Sequence, residues 1–145
     1  MNDTTHAPLP TGLLDVASLP WQPIFPGFTL KALRATGDDD ARALLLRLEP
    51  GTLIPRHRHT GDVHAYNLSG QRLLIETNTL VGPGGYVYEP AGNVDSWMAV
   101  GDEPCIVFVV AQGAVEYLDE EGRVLRRSTT GSTGDAYRRF CEATR

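Results

Sequence analysis

Gly51-Thr-Leu-Ile-Pro-Arg-His57-Arg-His59-Thr-Gly-Asp-Val-His64-Ala-Tyr66-Asn-Leu-Ser-Gly70 is the stretch that decides how this chain folds. Three of the four histidines in the sequence fall between His57 and His64. Along a β-strand, residues i and i+2 share a face at a spacing of about 6.5–7 Å. His57 and His59 therefore aim two imidazoles at one point, and Arg56 and Arg58 face the other way. Thr60-Gly61-Asp62 permits a turn, after which His64 is expected to return on the next strand with its ring toward the same centre. Imidazoles converging in this way are the ligands a divalent metal such as zinc or iron takes. The competing reading is that they are ordinary surface or core histidines of a strand.

On both sides of this stretch, short apolar segments alternate with Gly, Pro, Asn and Asp clusters at intervals near ten residues. That rhythm belongs to an all-β sandwich or barrel. Strands are expected at 28–34, 43–49, 53–58, 63–68, 72–76, 86–88, 96–100, 106–110, 114–118 and 123–126. Pro50-Gly51, Ser69-Gly70, Pro83-Gly84-Gly85, Ala91-Gly92-Asn93 and Glu121-Gly122 are the turns between them. The segment after Asp38-Asp39-Asp40 has the local propensity of a capped helix that Pro50 would stop. The β rhythm on either side assigns it to a strand. Residues 133–144 form the one expected helix, with Asp135 as its cap and Ala136, Phe140 and Ala143 on its buried face. The organisation expected is an extended arm over 1–20, rich in proline, a barrel over 21–130 and a helical tail over 131–145.

Composition limits the function. The chain has 145 residues, one domain's worth, and 41% of them are hydrophobic, enough for a core. Thirteen basic and eighteen acidic side chains leave a net charge of −5, the wrong sign for nucleic acid or an anionic membrane as the main partner. Cys105 to Ala111 is the longest apolar run, far short of the roughly 20 residues of a membrane helix. The start of the sequence has no basic flank and no apolar stretch of the secretory type, so a cytoplasmic protein is expected. Cys105 and Cys141 have no C-x-x-C partner and read as buried thiols.

A second motif lies downstream. Gly51-x5-His57-x-His59-x4-His64-x5-Gly70 and Gly84-x5-Pro90-x-Gly92-x2-Asp95 together resemble the two sequence motifs of the cupin family. The resemblance implies a double-stranded β-helix, the cupin jelly roll, with a divalent metal inside. His57-Arg58-His59-Thr60-Gly61-Asp62, the segment Gly82 to Pro90 and the segment Gly113 to Arg123 are similar to the ChrR-like branch. That branch contains 2,4'-dihydroxyacetophenone dioxygenase; acetylacetone dioxygenase is a more distant small cupin. What this implies is Fe(II), with Zn(II) or another divalent metal as the alternative. It also implies a small ketone and O2 as reactants, and cleavage of a carbon–carbon bond in a diketone or hydroxyketone.

Two positions depart from the family pattern. His64 stands where many cupins place a glutamate, and Asp95 where they place the last histidine. The inventory of three imidazoles and one carboxylate survives in permuted order. Two ligand sets follow: His57, His59 and Asp95, or His57, His59 and His64 with Asp95 behind them. Asp62 is a further acidic candidate, expected at the surface or behind the ligands. Asp95, Tyr66 and Trp97 are the residues expected to touch the reacting molecule, in a pocket whose walls include Leu68, Phe108 and Val110. Arg56, Arg58 and Arg72 are expected to face outward and Glu89 to end a strand in solvent. A non-catalytic Zn(II)- or ligand-binding cupin of sensor or storage type is the rival function. A homodimer or homotetramer, joined through the arm, is the expected assembly.

Overall fold

The structure, a computed structural model, describes residues 11–37 and 41–144. The first half of the expected arm therefore lies outside the described residues. Among the described residues, a single 3-10 turn at Val16–Ser18 is followed by twelve strands. They are β1 (Gln22–Phe25), β2 (Phe28–Arg34), β3 (Arg42–Leu48), β4 (Leu53–His59), β5 (Val63–Ser69) and β6 (Gln71–Leu74). The second half comprises β7 (Thr79–Val81), β8 (Tyr86–Glu89), β9 (Val94–Val100), β10 (Cys105–Ala111), β11 (Val115–Leu118) and β12 (Val124–Ser128). The chain ends in helix α1 (Thr130–Ala143).

The strands form two six-stranded sheets, β1-β2-β3-β10-β5-β8 and β12-β11-β4-β9-β6-β7. Every neighbouring pair is antiparallel. Consecutive strands repeatedly change sheets, β4 to β5 and β9 to β10 among them, and this makes the architecture the expected all-β double-stranded β-helix. Between the sheets lie Phe28, Leu30, Leu48, Ile54, Ala99 and Val107, with Cys105 buried as a free thiol. The segment after residue 41 is a strand, as the surrounding rhythm required. The short strands β1 and β7 carry too few alternating residues to be read from sequence.

Three expectations are corrected. Helix α1 starts at Thr130, and its cap is Thr129, whose hydroxyl accepts from the Ser132 N–H while the Ser132 hydroxyl accepts from the Thr129 N–H. Asp135 lies past the first turn and pairs with Arg138 instead. The buried face of α1 centres on Tyr137, whose hydroxyl donates to the Pro20 carbonyl at 2.7 Å, with Phe140 packed beside it. Gly134 lets this helix approach the Ala35 carbonyl on the β2 side more closely than a Cβ would allow.

The third correction concerns which residues point inward. On β5 the buried residues are Val63, Ala65 and Asn67, so His64, Tyr66 and Leu68 lie on the outer face. On β10 they are Cys105, Val107, Val109 and Ala111, and Phe108 and Val110 pair with Tyr66 and His64 on that same outer face. The uniformly apolar β10 carries no alternation to reveal its parity. On β5, parity was borrowed from β4, but alternation holds only within one strand. The Thr60–Asp62 turn crosses from one sheet to the other and resets it.

Candidate metal centre

Strand β4 delivers His57 and His59, and β9 delivers Asp95 directly opposite His57 in the ladder. A register irregularity between Ile54 and His57 puts Ile54, His57 and His59 all inward while Pro55 and Arg56 face out. The turn before β9 is tied to β4 by the Gly92 N–H on the His59 carbonyl and the His59 N–H on the Asn93 carbonyl. Asp62 fastens the same turn by accepting the Ala91 N–H at 3.0 Å. Asp62 is thus a fastener of the loop leading into Asp95.

His57, His59 and Asp95 are all buried, and one ligand atom from each lies within 4.8 Å of the others. The two imidazoles stand nearly perpendicular, 4.9 Å between ring centres. His57 Nδ1–H donates to the Pro55 carbonyl at 2.7 Å, leaving the Nε2 lone pair to face the cluster. His57 Nε2 and Asp95 Oδ1 approach to 3.0 Å, yet Asp95 Oδ1 has no aligned hydrogen-bond partner among the described residues. His59 Nδ1 is likewise buried and unpartnered. Buried polar atoms are seldom left so, and orphaned acceptors on two residues of a cluster whose ligand atoms gather within 4.8 Å fit a divalent cation.

The electrostatics of His59 and Asp95 agree with ligand duty. Burial, with the charge of His57 next, pushes the His59 imidazole down to about 4, so it is neutral at physiological pH. Burial works against the charge of Asp95, but contact with His57 outweighs it and holds the carboxyl below its ordinary range. Burial also works against a charged His57, and the contact with Asp95 overrides it, leaving His57 raised.

The cluster lies beside a cavity of about 350 Å³ whose lining includes His57, His59, Trp97 and Glu89. Trp97 is buried there, as its strand parity with Asp95 predicted. His64 and Tyr66 are not brought to it. His64 is exposed, its Nδ1 2.6 Å from the Tyr86 hydroxyl, and Tyr66 is 45% exposed. The ligand set that needed His64 is therefore not the one the fold assembles, and Tyr66, Leu68, Phe108 and Val110 do not wall the cavity.

Three cavity residues escaped the sequence reading. Glu89 is buried rather than solvated, 4.0 Å from His59 Nε2, and its Oε1 accepts from Asn93 Nδ2. Burial, and then the charge of Asp95, raise its carboxyl above the usual range. Arg72, expected outward, is buried, stacks on Trp97 at 4.7 Å and donates through Nε to Asn67 Oδ1. Arg42 is buried as well. Its signal was present, since it shares strand parity with Leu44 and Leu48, both buried. Arg56 is exposed and Arg58 is half-buried and paired with Glu116 at 2.8 Å, both on the face expected of them.

Comparison with known proteins follows this geometry. An rmlC-like cupin protein from Ralstonia eutropha JMP134 superposes with a TM-score of 0.86 at 27% identity, over 93% of this chain and 89% of that one. An acetylacetone dioxygenase from Acinetobacter johnsonii shares the fold at a TM-score of 0.83 and 13% identity, over 96% and 99% of the two chains. The anti-sigma ChrR of Rhodobacter sphaeroides, solved in complex with SigE, gives a TM-score of 0.58 at 21% identity over 67% of this chain and 50% of that one. No curated protein matches the sequence. The family model described as the ChrR Cupin-like domain matches residues 11–116, from before β1 into β11 and across every residue of the cluster. With the fold, the inward histidine pair and this match in agreement, the chain belongs to the ChrR cupin-like family.

Proposed function

We propose that this protein is a non-heme Fe(II) dioxygenase that cleaves a carbon–carbon bond in a small diketone or hydroxyketone. The observation that carries the reading is the buried set of two imidazoles and one carboxylate, His57, His59 and Asp95, beside a cavity large enough for such a molecule. Two histidines and a carboxylate on one side of a metal, with other positions open, are the ligand set of non-heme iron oxygenases. Bound there, Fe(II) would supply Lewis-acid polarisation of the ketone oxygens and the redox capacity that chemistry with O2 requires.

The remaining work falls to this chain's own groups. Trp97, Ile54 and Phe28 present apolar surface that keeps bulk water from the reacting carbons. Glu89 is placed to take the proton that enolisation releases, at Oε2, because Oε1 is held by Asn93. Its raised carboxyl brings its proton affinity closer to neutrality, where a general base is most effective.

The test is metal analysis of protein purified without a chelating tag and reconstituted anaerobically with Fe(II). Oxygen uptake is then followed with 2,4-pentanedione and with hydroxyacetophenones. Near-stoichiometric iron and ketone-dependent uptake are expected; iron binding without uptake across the ketone panel overturns the dioxygenase. Tight Zn(II) binding without turnover would favour the second reading, a non-catalytic sensor or storage module, to which the likeness to the anti-sigma ChrR lends support.

Assembly as a homodimer or homotetramer is part of the proposal. The exposed Tyr66, Leu68, Tyr86 and Tyr88 on one sheet's outer face offer the apolar surface a second copy would cover. A cytoplasmic site of action is supported by the two free cysteines. Among the described residues no helix is long and apolar enough to cross a membrane.

A further inference from the structure

Three guanidinium groups line the cavity: Arg126 is exposed and stacks over the Tyr117 ring, whereas Arg42 and Arg72 are each only 2% exposed. Arg42 Nη1 donates to the Gly113 carbonyl at 2.7 Å and to Thr130 Oγ1 at 3.3 Å. Arg72 Nε is held by Asn67. The Nη2 atoms of both have no hydrogen-bond partner among the described residues. A guanidinium does not give up its proton in a protein, so each remains a buried cation with unused donors. Leaving such a group unpaired is costly, and the usual resolution is an anion.

The two arginines differ in one respect. Arg72 has the carboxylates of Glu89 and Asp95 in its electrostatic surroundings. Neither arginine makes an ion pair among the described residues, and the one ionisable group that favours the charge of Arg42 is the Tyr117 phenol. Burial raises that phenol, so it is neutral at physiological pH and gives Arg42 no counter-charge. Arg42 lines the same cavity as His57 and His59. With a divalent cation at the cluster, the two buried guanidiniums against the two buried carboxylates, Glu89 and Asp95, leave the metal's charge uncompensated. The cavity then carries a positive surplus that a neutral ketone does not answer.

We propose that the ligand this cavity takes is an oxo acid, with its carbonyl oxygens toward His57, His59 and Asp95 and its carboxylate bound by Arg42 Nη2. This rests on the metal-centred reading and narrows its substrate class from ketones in general to ketones bearing a carboxylate. A carboxylate on a guanidinium forms a charge-assisted hydrogen bond, roughly twice as strong as a neutral one. Arg42 thereby acts as a specificity residue, while Arg72, held by Asn67 and lying in the field of Glu89 and Asp95, chiefly supports Trp97 and the cavity wall.

The experiment uses protein loaded with Zn(II), which binds without oxygen chemistry, and calorimetric titration with 4,6-dioxoheptanoate, its methyl ester and 2,4-pentanedione. The free acid is expected to bind at least about tenfold more tightly than the ester. That preference should vanish in Arg42→Gln and persist in Arg72→Gln. Arg42→Lys, which keeps the charge and guards against a folding defect in the glutamine variant, should lower the preference at unchanged zinc stoichiometry. Equal binding of acid and ester by the unmodified protein, or a preference undiminished in both Arg42 variants, overturns the proposal. Zinc bound together with both neutral diketones but without acid preference leaves the metal-centred reading intact and removes only the oxo acid. Failure to bind zinc removes both.

Discussion

Asp95 is a shorter side chain than the histidine its position carries in many cupins, and it stands directly across the ladder from His57, with Oδ1 3.0 Å from Nε2. If it holds the metal, Asp95→Ala should weaken divalent-metal affinity by more than about a hundredfold. His64→Ala should leave that affinity unchanged, because His64 sits on the outer face with Tyr86 and Tyr88. Competition titration against a metal-binding dye reads both, and equal losses in the two variants would restore His64 to the centre. Asp95→His should retain binding and alter metal preference. Glu89→Gln keeps the shape of the side chain and the contact to Asn93 but cannot take a proton. Turnover should fall by roughly a hundredfold to ten-thousandfold with bound metal unchanged, measured by oxygen uptake alongside elemental analysis. Metal loss in Glu89→Gln would instead make Glu89 part of the ligand set.

At the scale of elements, the site depends on two strands of one sheet held in register by the turn that precedes β9. Asp62 and the paired backbone contacts of His59 set that register. Helix α1 contributes Ser132, Thr133 and Ala136 to the cavity lining, and Thr130 at its first turn accepts from Arg42, so the helix start is tied to the cavity. Thr129→Ala removes the side-chain half of the capping box and should cost about 1 kcal/mol of stability. Urea denaturation measures this, and an unchanged midpoint would mean that the docking of Tyr137 alone holds the helix. The expected Asp135 cap erred by six positions, because the aspartate is the stronger capping type locally whereas the Thr129–Ser132 box satisfies two backbone donors reciprocally.

For the whole molecule, the buried histidines couple folding to pH. His59 titrates at about 4 in the folded protein against an ordinary value of 6.5. Between those values the unfolded chain takes up a proton that the folded chain refuses. Stability is therefore full above pH 6.5 and declines as pH falls toward 4, by up to about 3 kcal/mol for this group. His57, raised in the folded state, acts in the opposite sense: it adds stability below pH 6.5 that is lost as pH rises through its folded value. In metal-free protein kept in chelator, urea denaturation from pH 7 to 4.5 should give a shallower acid decline in His59→Asn than in the unmodified protein. Parallel profiles would show that His59 is not the group responsible. Metal present at a hundred times its dissociation constant should add about 2.7 kcal/mol and withdraw as pH falls, since protons compete for the same nitrogens.

The sequence alone determined the strand rhythm, the inward pair His57 and His59, the place of Asp95 and the family, because each is written in spacing within one strand or one motif. Alternation fixes the face of each residue along a regular stretch of strand once a single one is known, and in β4 it breaks only at the irregularity between Ile54 and His57. Tertiary structure decided everything that passes between strands. The change of sheet after Thr60–Asp62 turned His64 and Tyr66 outward, and β10, apolar on both faces, gave no warning of it. Arg72 and Glu89 became cavity residues only when two sheets closed over them, whereas Arg42 already shared strand parity with Leu44 and Leu48. A charged side chain reads as solvated from sequence, and only the packed neighbours around it reveal that it has been buried.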